Sequence, residues 1–143
     1  MYQKIIIMGN LGSDPEMRYM PDGTAVTNFN VAVNNRYTDQ RSGQQVDETT
    51  WFRVSAWGRQ AETTNQYLSK GRQVFVEGRL QSDPATGGPR IWTAQDGSAR
   101  ASYEIRAFTI KFIGSREGVA PAAGGGDSFS GGAPAQEEDD IPF

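Results

Sequence analysis

Over most of its first 114 positions the chain alternates apolar and polar residues with a period of two. In the run 26–37, Val26, Asn28, Asn30, Ala32 and Asn34 fall on one face, and Thr27, Phe29, Val31, Val33 and Asn35 on the other. The run 49–57 alternates again, with Trp51, Arg53, Ser55 and Trp57 opposite Phe52, Val54 and Ala56. Successive side chains of an extended chain point to opposite faces, so this period predicts half-buried strands. A β-branched run predicts another strand at 3–9, before Asn10-Leu11-Gly12 and Asp14-Pro15 break it. Residues 73–80 predict a fourth, with Val74, Val76 and Gly78 opposite Phe75, Glu77 and Arg79, and residues 102–113 a fifth. Pro21-Asp22-Gly23 and Ser42-Gly43 are the turn signals between them. Phe29, Val31, Val33, Phe75, Ile105 and Phe108 are the expected core.

One segment departs from this period. Residues 59–70 contain neither Gly nor Pro and bring Ala61, Thr64 and Leu68 onto one stripe, with Gly71 placed where a helix C-cap glycine belongs. Three strands, a helix and two strands is the element order of the five-stranded OB barrel. On pattern alone an SH3-like or other small barrel fits almost as well. The expected fold class is therefore all-β with one helix, an OB-fold β-barrel over residues 1–114. Residues 81–101, with turn signals at Asp83-Pro84, Gly87-Gly88-Pro89 and Asp96-Gly97, read as a long loop, and such loops inside a domain are usually functional or mobile.

Beyond Gly114 the composition changes. Residues 115–136 are rich in Gly, Ala, Ser and Pro and cannot bury enough apolar surface to offset the entropy lost on folding, so a flexible, disordered linker is expected. It leads to the acidic tip 137–143, Glu137-Glu138-Asp139-Asp140-Ile141-Pro142-Phe143. The net charge of −3 hides this division. Residues 1–114 carry thirteen Lys and Arg against eleven Asp and Glu, a net of +2, whereas 115–143 carry a net of −5. A mildly basic body and an acidic tail imply separate tasks. In the tip, two apolar side chains and a free carboxylate behind an acidic run suit an apolar pocket rimmed by Arg or Lys.

The chain has no cysteine and no histidine. That removes disulfides, thiol–zinc sites, the Ser-His-Asp triad and the commonest general base. Acid pairs such as Asp14 and Glu16 are ordinary on solvated surfaces, so no metal, no cofactor and no enzymatic activity are expected. The apolar run 5–8 is too short for a signal peptide or a membrane span, which predicts a cytoplasmic protein with no membrane partner.

The informative chemistry is aromatic residues interleaved with arginine. Phe52, Val54 and Ala56 make a natural core face, which leaves Trp51, Arg53, Ser55 and Trp57 outward, with Arg59 just beyond. Exposed indoles usually mark a binding surface. Unpaired bases stack on aromatic rings at about 1–3 kcal/mol each and without regard to sequence, while arginine neutralises phosphates. Tyr37, Trp92, Arg36, Arg41, Arg79, Arg90 and Arg100 lie in or beside the turn-rich segments and extend this set, and Arg18 is a further candidate for a backbone phosphate. The same surface would serve RNA, since discrimination rests on the 2′-hydroxyl. A magnesium-dependent nuclease and a protein that oligomerises through its exposed aromatics are the competing readings.

Gly9-Asn10-Leu11-Gly12-x-Asp14-Pro15-Glu16-x-Arg18-Tyr19, Thr50-Trp51-x-Arg53-Val54, Tyr67-Leu68-x-Lys70-Gly71, Val76-Glu77-Gly78 and the terminal Asp139-Asp140-Ile141-Pro142-Phe143 stand together and in order. In these motifs the chain resembles the bacterial single-stranded DNA-binding protein family. The resemblance implies an OB fold and a homotetramer with single-stranded DNA wrapped around it. It implies stacking roles for Trp51, Trp57, Tyr37 and Trp92. The family often has tryptophan where Tyr37 stands and phenylalanine where Trp57 stands, and both exchanges keep a ring. The region 83–90 looks longer than in many members. The tip, Asp139, Asp140, Ile141, Pro142 and Phe143, implies docking of replication, recombination and repair proteins.

Overall fold

Five long strands close on one another in a ring. They are β1 (Ile5–Leu11), β3 (Ala25–Thr38), β4 (Gln45–Trp57), β5 (Gln73–Gln81) and β7 (Ala99–Ile113). β1 pairs with β5, β5 with β7, β4 with β3, and β3 returns to β1 at Asn10↔Ala32 and Leu11↔Val31, all antiparallel. The β4–β7 contact is parallel. Two four-residue strands lie off the ring: β2 (Glu16–Tyr19) pairs with β3, and β6 (Arg90–Thr93) with β7. The helix α1 (Arg59–Tyr67) lies between β4 and β5 in the chain. This is the OB fold expected from the pattern. The structure, a computed structural model, describes residues 1–114. The expected linker 115–136 and tip 137–143 lie outside the described residues.

The period of two does the sorting. Val31, Val54, Val74, Val76 and Ile105 point inward and are essentially fully buried. Alternation also corrects two core assignments made on side-chain size. Phe108 follows the inward Ala107 and is therefore outward and exposed, and Phe75 lies between inward Val74 and Val76 and is only half-buried. Two glycines allow the ring to close. A Cβ on Gly9 would collide with the Ala32 carbonyl, and one on Gly78 with the Arg106 carbonyl, next to an irregularity in the β5–β7 register.

The helix is shorter than its sequence pattern. Leu68 turns extended (φ −93°, ψ 148°) while its N–H still closes the last turn on the Thr64 carbonyl, which puts its side chain in the core. Gly71 is therefore not the helix cap. It takes φ +85° in the next turn, and its N–H donates to the Leu11 carbonyl at 2.8 Å. α1 is held to the barrel by buried Ala61 and Thr64 and by the Thr27 hydroxyl, which donates to the Ala61 carbonyl at 2.7 Å. The segment 81–101 is not simply a loop. Its second half folds into a hairpin, Arg90–Thr93 against Ala99–Ser102. Strands as short as β2 and β6 show too few alternations to be read from sequence.

Ile105→Ala empties the centre of this core. It is expected to destabilise the domain by about 2–5 kcal/mol, read from the midpoint of urea unfolding.

Candidate nucleic-acid interface

The strand registers carry the sequence pattern onto one surface. Residues opposite each other in adjacent strands share a face. Across β3 and β4 the pairs are Ala32↔Trp51, Asn30↔Arg53, Asn28↔Ser55 and Val26↔Trp57. β2 adds Arg18 opposite Val26. On the other side of β4, the parallel pairing sets Glu104 beside Arg53 and Arg106 beside Ser55. β5 continues these rows with Gln81 beside Glu104 and Arg79 beside Arg106. The β6–β7 hairpin brings Arg90 opposite Ser102 and Trp92 opposite Arg100.

This surface is grooved. A depression of about 770 Å³ is bounded by Trp51 and Trp92 and lined by Arg18, Arg53, Arg90 and Arg100. A smaller hollow of about 250 Å³ shares Arg18, Arg53 and Arg90 and runs on to Trp57 and Arg106. Trp51 is 53% exposed and Trp92 45%, far more than packing alone explains for indoles. Val26, on the same face, is buried, because Trp57 and Arg18 flank it on both neighbouring strands.

Five guanidinium groups line the two hollows, against one carboxylate, Glu104. Glu104 stands 4.0 Å from Arg90, at the edge of an ion pair. The Arg106 guanidinium lies over the Trp57 ring, 4.9 Å from its centroid, so one face of that indole is already covered by a cation. Arg100 is held by Asp96 at 3.3 Å across the turn of the Trp92 hairpin. The Ser98 hydroxyl and N–H donate to the same carboxylate at 2.6 and 2.9 Å. Those hydrogen bonds, with Arg100 adding to them, hold the Asp96 carboxyl below the usual carboxylate range. The turn therefore keeps its anchor at neutral pH and loses it only on acidification below that range. Exposed indole faces with guanidinium groups between them can stack planar rings and neutralise phosphates along one track.

The structure brings together Trp51, Trp57, Trp92, Arg18, Arg53, Arg90 and Arg100 of the residues picked out from the sequence. Arg79 shares their face beside Arg106, outside the groove lining. Tyr37 lies apart. Its β3 position has the parity of Val31 and Val33, and the unbroken β3–β4 register places it five steps from Trp51 toward the hairpin tip. Arg36 is spent on a cross-strand ion pair with Asp47, Arg41 sits in the turn beyond, and Arg59 opens α1 as an exposed residue. Asp139, Asp140, Ile141, Pro142 and Phe143 lie outside the described residues. Sequence reasoning missed Glu104 and Arg106. Their signal was the alternation within 102–113, which becomes informative only once β7 is known to border β4.

An OB barrel bearing three tryptophans and a row of arginines on one grooved face belongs to the class of barrels built for an unpaired nucleic-acid strand. Residues 2–113 match the single-strand binding protein family, and the chain belongs to that family. Two relatives from Neisseria meningitidis, of serogroups A and B, both called single-stranded DNA-binding protein, are 41% identical over 134 residues, which is 94% of this chain and 67% of theirs. The crystal structure of a deletion mutant of the single-stranded DNA binding protein from Thermus aquaticus superposes with a TM-score of 0.61 at 33% identity. That match covers 80% of this chain and 52% of the Thermus chain, so this chain accounts for about half the length of that structure. No helix among the described residues is long and apolar enough to cross a membrane.

Glu104→Gln removes the one negative charge lining the groove. It is expected to tighten binding of an oligothymidine by about 1 kcal/mol, roughly fivefold, at low salt and by less at high salt, as read by fluorescence titration.

Proposed function

We propose that this chain binds single-stranded DNA without sequence preference and protects it during replication, recombination and repair. The observation that carries the reading is the continuous face on which Trp51, Trp57 and Trp92 alternate with Arg18, Arg53 and Arg90. Bases in a duplex keep their faces stacked on one another, so half-exposed indoles favour a strand whose bases are free. Every base has a π-face, which makes such a track tolerant of sequence. Tyr37, on the opposite face of the β3–β4 hairpin, is a further stacking contact for a strand that wraps around that arm. Arg36, Arg41, Arg59 and Arg79 are further backbone contacts outside the central groove. The chemistry is binding and not catalysis, with no cofactor, and the site of action is the nucleoid in the cytoplasm.

In this reading the protein works as a homotetramer. The support is an apolar surface away from the groove: Ile6, Met8, Phe108 and Phe112 are all outward and exposed. β1 uses one edge on β5 and meets β3 only at Asn10 and Leu11, so its other edge from Ile5 to Gly9 has no strand partner among the described residues. Open apolar edges of this kind are commonly covered by another strand. The acidic tip, Asp139 to Phe143, recruits partner enzymes of replication, recombination and repair.

Titration with oligothymidine at two salt concentrations, with duplex DNA as the control, tests the central claim. Strong quenching of tryptophan emission by the single strand alone is expected. Trp51→Ala and Trp57→Ala should each weaken binding by about 1–3 kcal/mol while the circular dichroism spectrum is unchanged. Unaltered affinity in both folded variants would overturn the stacking assignment. Deleting residues 139–143 should leave DNA affinity intact or slightly higher and abolish capture of partner enzymes. A truncated protein that still captures them refutes the role of the tip.

A further inference from the structure

The Trp51 indole is seated on a residue that carries no side chain. Gly12 directly follows β1, and a Cβ placed on it would stand 2.5 Å from Cζ3 and 2.8 Å from Cη2 of Trp51, with Cε3 next at 3.7 Å. The three nearest atoms to that position all belong to the one indole. Gly12 is not among the glycines with positive φ, so its backbone suits any residue. What the position demands is space, and the demand comes from Trp51 alone.

The seat itself is fixed. The Gly12 N–H donates to the Asn30 carbonyl at 3.0 Å. The preceding Leu11 donates to the Arg72 carbonyl at 2.9 Å and accepts from Gly71 at 2.8 Å, and its side chain is buried in the core. With the backbone held through Leu11 and the Gly12 N–H, a new methyl group at position 12 meets the ring, and the ring, at the end of a side chain, is the part that moves. Ala32, opposite Trp51 in the register, is small and leaves the indole free to lie across β3 toward β1.

We propose that Gly12 is a positioning residue for single-strand binding, a flat backbone seat that holds the Trp51 indole in its stacking orientation before a base arrives. The inference rests on the stacking reading above and goes beyond it by naming what orients the ring. An indole on an open strand face samples several rotamers and loses that freedom when a base docks on it. A ring held against Gly12 has already lost it, which lowers the ordering cost of binding.

The test uses the full chain. Gly12→Ala is expected to keep its unfolding midpoint and to weaken oligothymidine binding about two- to tenfold. In the Trp51→Ala background the same change should have no further effect, because no ring remains to displace. The ring's position is read separately in a Trp57→Phe/Trp92→Phe protein, where Trp51 is the sole emitter: Gly12→Ala should shift its emission to the red and lower its anisotropy without DNA. Unchanged emission and affinity overturn the proposal, and so does an equal loss of affinity in the Trp51→Ala background, which would mark a loop effect independent of the ring. If Trp51→Ala itself leaves binding intact, the stacking reading fails, while the emission experiment still decides whether Gly12 seats the ring. Should Gly12→Ala impair folding, recovery in the Trp51→Phe background, whose ring is smaller, supports the clash, and no recovery refutes it.

Discussion

The strict alternation of β4, clamped between β3 and β7, is the constraint on which the other features depend. Its inward residues Val54 and Ala56 are completely buried at the centre of the core. Its outward residues Trp51, Arg53, Ser55 and Trp57 supply the middle of the groove. A slip of one residue would drive two indoles and a guanidinium into the barrel and expose the core, so stability and binding fix the same register. The long β3–β4 pairing, from Val26↔Trp57 to Thr38↔Gln45 without interruption, makes such a slip costly.

The three tryptophans share a face but are held by different means. Trp51 rests on the bare backbone of Gly12, Trp57 lies under the Arg106 guanidinium, and Trp92 rides on a hairpin whose turn is tied by Asp96, Ser98 and Arg100. The first two are mounted on the closed ring of strands. The third is mounted on a two-stranded extension outside that ring. Rigid mounting of an aromatic side chain lowers the ordering cost of binding.

Charge follows a local logic that the net balance hides. A body of net +2 concentrates five arginines along one groove and leaves a single carboxylate there. Outside the groove, Arg36 is neutralised where it stands by Asp47 on the exposed β-hairpin. An exposed pair of this kind adds little to stability, but it cancels the positive field at that point of the hairpin. Glu104 moderates that field from within by its approach to Arg90.

The sequence by itself determined the period of the strands, the position of the helix and the outward face of β4, because alternation is a local property written into consecutive residues, and it narrowed the fold to a small β-barrel. It also contained the parity that sets Tyr37 on the side of Val31 and Val33, although a pairing register was needed to give that parity meaning. Only the tertiary structure decided which strands are neighbours. The parallel docking of β7 on β4 brought Glu104 and Arg106, fifty residues away in the chain, into the groove beside Arg53 and Trp57. The folding of 90–102 into a hairpin turned an apparent loop into the mount for Trp92. The closure of β3 on β1 brought Gly12 under Trp51. Each of these depends on contacts between segments far apart in sequence, which are set by the closing of the ring and leave no mark on the local pattern of the residues they join.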